Sequence, residues 1–425
     1  MADQGLAART AALELTQAAL ARRGGLEAAL SAPAFAALDA RDRAFARALA
    51  MTALRRLGQI DRLLEPRLRK PPPERVRQIL RLGAAQLFWM DTPAHAAVSA
   101  SVEMAEARSE TRPFKGLVNA VLRGLLRDGP APGDAEALAP PWLFARWRAA
   151  YGDADARAMA ALIAEEPQTD LTPRNAADAA DLARALEGVV LPGPTVRAAR
   201  RGELTEWPGY AEGRWWVQDA SSAIPARLFH VEQGRSAADL CAAPGGKTLQ
   251  LCAAGAQVTA LDRAASRLKR LEQNLARLGF AAETIAADAA EWADAREFDA
   301  VLLDAPCTST GAFRRHPDAL WTTRPADIPG LGMTQARLLA SAAGRVRPGG
   351  QMVYCVCSLE PEEGEAQVEA FLRAREDFRL DPIARGEGGS PEASLTPRGW
   401  LRILPHHREG GTDGFFAARL RRLPG

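Results

Sequence analysis

The chain has 425 residues, 47% hydrophobic and 25% charged, with a net charge of +2. That length exceeds one core of ordinary size and implies two or three globular domains. No run approaches the roughly 20 apolar residues that span a bilayer, and the start, Met-Ala-Asp-Gln-Gly, lacks the basic and apolar parts of a secretory signal. Five scattered cysteines form neither a disulfide framework nor a zinc site, since no C-x2-C pair occurs. A soluble protein of the reducing cytoplasm, with no metal and no membrane partner, is expected.

Residues 1–130 read as helical, rich in Ala, Leu and Arg, with Ile79, Leu80, Leu82 and Leu87 at three-and-four spacing. Pro71-Pro72-Pro73 ends one helix and starts the next. This stretch holds 20 Lys and Arg against 13 Asp and Glu, and the rest of the chain carries a net charge of −5. The density peaks from Arg55 to Arg81, with nine basic and three acidic residues. Such an excess suits a polyanion such as RNA. It also describes a solvated face in a chain with 50 Arg and 4 Lys.

Asp128-Gly-Pro-Ala-Pro-Gly-Asp134 reads as a linker. Residues 136–215 are mixed and read as a small α/β linker domain. Trp142, Trp147 and Tyr151 there fall at helix-compatible spacing and are expected in the core. Proline-rich turns follow at Leu191-Pro-Gly-Pro194, and Trp215-Trp216-Val217 begins a new pattern that runs to residue 425. From about residue 216 strands alternate with helices, the pattern of a parallel sheet covered on both faces. Strands are expected at Ala237–Leu240, Val258–Leu261, Thr284–Ala287, Ala300–Leu303 and Met352–Cys357, with a last one in Gly414–Leu420. Between the second and third, Leu268, Leu271, Leu275 and Leu278 share one face of a helix that stops at Gly279.

The segment Asp239-Leu-Cys-Ala-Ala-Pro-Gly-Gly-Lys-Thr248 joins the first of these strands to a helix, and its paired glycines let backbone N–H groups approach a ligand. It is not a P-loop, because Cys241 stands where that motif needs its first glycine, and no G-x-G-x-x-G occurs. One tight glycine pair fits a nucleoside without pyrophosphate, as in S-adenosylmethionine. Asp262, Asp288 and Asp304 close the next three strands, where open α/β sheets bind ligands. Asp262 is placed for ribose hydroxyls and Asp288 for adenine. Each alone reads equally as a helix cap; three in register after the loop point to a ligand.

Carbon 5 of cytosine is a poor nucleophile until a thiolate adds at C6. A carboxyl group at the N3 edge assists, and a base must later remove the C5 proton. Asp304, Cys307 and Cys357, all at the carboxyl ends of neighbouring strands, supply the two thiols and the acid. Cys252 and Cys355 read as small core residues. These residues alone do not rank Cys307 against Cys357.

Nearly the whole chain resembles the Sun-type ribosomal RNA small-subunit methyltransferase B family. Phe114-Lys-Gly-Leu-Val-Asn-Ala-Val-Leu-Arg123 is similar to the last helix of its NusB-like module, and Val217-Gln-Asp-Ala-Ser-Ser222 to the entry of its catalytic domain. Asp239–Lys247 resembles the methyl-donor loop. Asp304-Ala-Pro-Cys-Thr-Ser-Thr-Gly311 with Arg315-His-Pro-Asp318 resembles the fourth motif, Tyr354–Glu363 the sixth, and Leu404–Phe416 the C-terminal one.

The resemblance implies a helical NusB-like domain followed by a doubly wound, Rossmann-like class I methyltransferase domain with a mostly parallel seven-stranded sheet. It implies a monomer that uses S-adenosylmethionine to methylate a cytosine of 16S ribosomal RNA, with Cys357 as nucleophile and Cys307 assisting release. Cys241, Ala242, Ala243, Pro244, Gly245, Gly246 and Lys247, with Asp262, Arg267, Asp288 and Asp304, are then the donor-binding or base-framing residues. Val356 stands where the family commonly has Thr before the nucleophile; alternation along a strand makes this a change of packing. Two rivals differ in class: a NusB-like binding factor with a silent catalytic domain, and a DNA methyltransferase attacking with Cys307.

Overall fold

In a computed structural model of the chain, residues 2–21, 25–129, 133–230 and 233–424 are described; Pro130, Ala131 and Pro132 of the expected linker lie outside them. Contacts group the chain into two units, Met1–Glu166 with Phe313–Arg324, and Pro167–Ala312 with Pro325–Gly425.

In the first unit the helices Ala2–Ala21, Ala40–Arg55, Leu57–Leu64, Glu74–Trp89, Ala94–Glu106 and Lys115–Asp128 surround one core that includes Leu49, Leu54, Ile79, Leu80 and Leu122. Pro73 precedes the first turn of Glu74–Trp89, and Ile79, Leu80 and Leu82 face inward as their spacing predicts. Small residues let the helices approach closely: a Cβ at Gly83 would lie 2.6 Å from Leu122. Helices Pro141–Tyr151 and Asp153–Ala161 belong here as well, and Trp147 is buried 5.7 Å from the ring of Phe313.

The basic stretch is partly neutralised within this unit. Arg55 is buried and donates to the Arg314 carbonyl at 2.7 Å. Arg81 forks onto Asp61 at 2.8 and 2.6 Å, Arg67 reaches Asp128 at 2.6 Å, and Arg75 reaches Glu14 at 2.8 Å. Arg62, Arg69 and Lys70 are exposed.

The second unit opens with four short antiparallel strands: β1 (Thr169–Pro173), β2 (Val189–Leu191), β3 (Thr195–Ala198) and β4 (Trp215–Val217), in the order β2-β3-β1-β4. Register places Asp170 opposite Arg197, and their buried side chains pair at 2.7 and 2.9 Å. The large sheet holds β5 (Ser236–Leu240), β6 (Gln257–Asp262), β7 (Glu283–Ala286), β8 (Phe298–Asp304), β9 (Val346–Val356), β10 (Phe378–Leu380), β11 (Leu401–Ile403) and β12 (Phe415–Arg422).

Its order is β10-β12-β9-β8-β5-β6-β7, with β5 to β9 parallel and β12 antiparallel to β9. Alternate residues bury into opposite layers, Leu303, Tyr354 and Phe416 on one face and Leu302, Val353 and Phe415 on the other. The helix Ala265–Leu278 buries the four expected leucines and ends on Gly279 at φ 66°.

The sheet has eight strands, one more than the expected seven. The outer edge of β12 is paired in two pieces, by β11 against Phe415–Ala417 and by β10 against Leu420–Arg422. Strands of three residues are too short to show an alternating pattern. The order reverses between β5 and β8: the chain runs outward through β6 and β7, then returns to place β8 and β9 on the other side. Such a switch point opens a crevice at the carboxyl ends of the two central strands.

Candidate active site

The loop after β5 is shaped by backbone that few residues tolerate. Cys241 has φ 68° and Gly245 φ 108°, and a Cβ at Gly245 would lie 2.3 Å from Leu271. The helix Gly246–Ala253 can therefore begin directly against the leucine face of Ala265–Leu278. Asp239 is fully buried beneath it, with Oδ2 accepting from Thr248 Oγ1 at 2.6 Å and Oδ1 without a partner. Burial, then repulsion from Asp304, pushes its carboxyl up to about 7.

Asp262 is buried and accepts from the N–H groups of Ala243 at 3.1 Å and Ala264 at 2.9 Å. Arg267 donates to the Ala243 carbonyl and lies 3.4 Å from Asp262. Ala242 and Ala243 are buried in this loop, whereas Pro244 is exposed. Asp288 stands two residues past β7, where it accepts from Ala290 N–H at 2.9 Å. It is three strands from Asp304, at the sheet's outer end.

Asp304 is the hub. Register sets Leu240 beside Leu303 and Asp304 beside Cys355, so the end of β8 lies between the donor-loop strand and β9. Lys247 Nζ reaches Asp304 Oδ2 at 2.7 Å and lies 5.1 Å from the centre of the Phe415 ring. Burial alone would lower this ammonium, but contact with Asp304 outweighs it and the net shift is upward, keeping Lys247 charged. Cys355, expected only to fill space, donates to Asp304 Oδ1 at 3.5 Å.

Because Asp304 and Cys355 are paired, Cys307 and Cys357 leave the sheet side by side. Their Sγ atoms are 3.5 Å apart. Cys307 is buried and Cys357 half-buried. Ser309, at φ 59°, brings its hydroxyl to 3.7 Å from Cys357 Sγ and 3.9 Å from Cys307 Sγ. The pair splits the two thiols: the hydrogen bond from Cys307, helped by Ser309, outweighs burial and lowers Cys357. The same contact, with burial, raises Cys307. The two thiols are thus shifted in opposite directions by one shared contact. Burial pushes Cys241 and Cys252 each up to about 12. Val356 is buried on the opposite face of β9, among Tyr354 and Phe416.

Distant motifs converge on the same edge. Asp219 accepts from Ser221 N–H at 2.9 Å and, 193 residues on, from Thr412 Oγ1 at 3.1 Å. Gly311 N–H donates to the Cys357 carbonyl at 3.0 Å, and Gly414 N–H to the Gly311 carbonyl at 2.8 Å. Glu363, the last residue of the Tyr354–Glu363 motif, is fully buried; nothing local in the sequence marks it except its place five residues after Ser358. Among the described residues no helix is long and apolar enough to cross a membrane.

Comparison with known proteins places the chain in a family. The model of the 16S rRNA methyltransferase RsmB/F family matches residues 226–421, and that of the NusB family residues 6–127. Ribosomal RNA small subunit methyltransferase B of Xanthomonas campestris is 36% identical over 99% of this chain and 98% of the relative. The protein of the same name from Klebsiella pneumoniae is 35% identical over 89% of this chain and 90% of its own. The crystal structure of PH0851 superposes with a TM-score of 0.80 at 23% identity, covering 99% of this chain and 98% of that one, which shows a shared fold. A methyltransferase homolog from Pyrococcus horikoshii, 27% identical, superposes with a TM-score of 0.55 over 71% of this chain and 98% of its own. The chain belongs to the 16S rRNA methyltransferase RsmB/F family, and it is a methyltransferase with a NusB family domain at its N-terminal end.

Proposed function

We propose that this protein methylates carbon 5 of a cytosine in 16S ribosomal RNA, using S-adenosylmethionine, with Cys357 as the attacking thiol and Cys307 assisting its release. The observation that carries this reading is the Sγ–Sγ distance of 3.5 Å between two thiols shifted in opposite directions beside Asp304. A single adduct-forming reaction uses one thiolate and one proton-bearing neighbour, and this pair offers both.

The donor site fits a cationic nucleoside. Carboxylates stand at or just past the ends of β5, β6, β7 and β8, Asp239 keeps an unpartnered buried oxygen, and the Cys241–Lys247 turn brings backbone close. Asp262, Asp288, Arg267 and that turn are assigned to hold the donor. When bound, S-adenosylmethionine supplies a methyl group on an electron-poor sulfonium.

Cys357 adds to C6 of the base, forming an S–C bond and moving the electron pair to C5 and the N3 edge. Asp304, fixed by Lys247 and Cys355, is assigned to that edge, where charge develops. After C5 has gained its methyl group, a base takes the C5 proton and the S–C6 bond breaks. Cys307 then stabilises the departing Cys357 thiolate through its S–H. The target base has to leave its stack to reach the sheet edge. In the same reading residues 1–130 form the RNA-binding module and 216–425 the catalytic domain, acting as a monomer in the cytoplasm; the linker domain narrows from 136–215 to 167–215, since residues up to Glu166 group with the helical unit.

Mapping 5-methylcytosine in 16S rRNA after incubation with the enzyme and labelled donor tests the reaction. One methylated cytosine is expected with the wild type and none with Cys357→Ala. Label on duplex DNA, or on RNA with Cys357→Ala, would refute this reading.

A further inference from the structure

The loops that carry Cys307 and Cys357 are separate in sequence, and each thiol is followed by a hydroxyl residue, Thr308 and Ser358. Both turn away from the thiols onto one buried carboxylate. Glu363 Oε1 accepts from Thr308 N–H at 2.9 Å and from Gln335 Nε2 at 3.0 Å. Its Oε2 accepts from Ser358 Oγ at 2.5 Å and from the Thr308 hydroxyl. Gln335 also donates to the Pro306 carbonyl at 2.9 Å, so the arrangement grips the Pro-Cys turn from both sides of Cys307. Glu363 is itself held, since the Tyr354 hydroxyl donates to its backbone carbonyl at 2.5 Å.

We propose that Glu363 is a positioning residue for the reaction: by tying the residue after Cys307 to the residue after Cys357, it sets the distance at which the two thiols meet. The inference rests on the thiol roles assigned above. The geometry needs a carboxylate in particular. Two oxygens receive one N–H, two hydroxyls and one amide, a load no neutral side chain of that size accepts. A glutamine could keep one oxygen for Thr308 N–H and Gln335, but both hydroxyls would have to turn round to accept from its NH2, and the charge that favours donation onto this side chain is lost.

The charge acts in the same direction as the tether. Cys307 is raised first by its hydrogen bond to Cys357 and by burial, and Glu363 adds to that shift, keeping Cys307 protonated and able to donate. Loss of the carboxylate should therefore blur the difference between the thiols as well as their spacing. A merely structural residue would lower stability without changing which thiol reacts.

The test is alkylation of the full-length chain by iodoacetamide from pH 6 to 9, with Cys307 and Cys357 resolved by peptide mass spectrometry, alongside methyl-transfer kinetics. In the wild type, Cys357 should react first and with the lower apparent pKa. In Glu363→Gln that preference should fall at least about 5-fold, with kcat down more than about 10-fold and KM for RNA within about 3-fold. Glu363→Asp should recover part of the preference. Unchanged selectivity in Glu363→Gln, whatever happens to kcat, overturns the inference. Where Glu363→Gln does not fold, Ser358→Ala removes one arm and should shift selectivity the same way by a smaller factor; no shift there overturns it equally. Cys357→Ala in the same kinetics separates the two levels: retained turnover would remove the nucleophile assignment, while the alkylation result stands by itself.

Discussion

The two units answer their buried polar groups in different ways. In the helical unit many are matched by one or two partners: Thr16 donates to carbonyls one turn back, Arg81 forks onto Asp61, and Arg67 binds Asp128 and the Leu63 carbonyl, while Arg55 reaches the Ile163 and Arg314 carbonyls. At the carboxyl edge of the large sheet single side chains serve several chain segments. Arg197 binds Asp170 and the carbonyls of Glu409 and Gly411; Arg402 binds Glu365 and the Ser358 carbonyl; Glu363 gathers Thr308, Ser358 and Gln335. A core built from local matches tolerates the loss of one. An edge built from shared hubs should not, and that edge is where the reacting groups stand.

The largest effect is expected for Arg197→Leu, which leaves Asp170 buried without its cation and frees two carbonyls: a loss of about 3–5 kcal/mol in urea unfolding of the second unit. A loss below about 1 kcal/mol would mean that the hub is dispensable. Leu122→Ala in the helical core should cost about 3 kcal/mol through its cavity, read as faster amide exchange in the surrounding helices, with methyl transfer retained at moderate temperature.

His316 comes next. Burial, then Arg315, lowers its imidazole to about 4 from an ordinary 6.5. The unfolded chain therefore binds the proton more readily. Stability is full above about pH 6.5 and falls as pH drops toward 4, by about 1–2 kcal/mol after allowance for partial exposure. His316→Asn should flatten that part of the melting curve; an unchanged slope would assign the loss to other groups.

The smallest effect is expected for Arg69→Ala with Lys70→Ala, both exposed: stability within about 0.5 kcal/mol. If this face grips RNA, the slope of log affinity against log salt should fall by about 0.7 per residue removed. No change would leave the basic stretch as a solvated face.

What was legible in the sequence follows the same division. Strands β5 to β9, the helix Ala265–Leu278 with its four leucines and the strand-end aspartates could be read because periodicity and strand ends are local signals. The strands β10 and β11, each of three residues, left no period to read, which is why the large sheet has eight strands where seven were expected. Pairs such as Lys247 with Asp304, 57 residues apart, depend on strand order, and spacing does not encode that. Glu363 was hidden by chemistry: in Glu360-Pro-Glu-Glu363 a charged turn reads as solvent-facing, and only the fold shows one of its carboxylates at zero exposure. Cys355 is the buried core residue expected; its contact with Asp304 depends on strand register and leaves no mark in the sequence.

The division of labour between the two thiols is open to direct measurement on a denaturing gel. Cys307→Ala, Cys357→Ala and the double variant are each incubated with 16S rRNA and S-adenosylmethionine, then denatured. A covalent protein–RNA band should accumulate with Cys307→Ala alone and be absent from the other two. A band that persists without Cys357 and needs Cys307 would reverse the assignment.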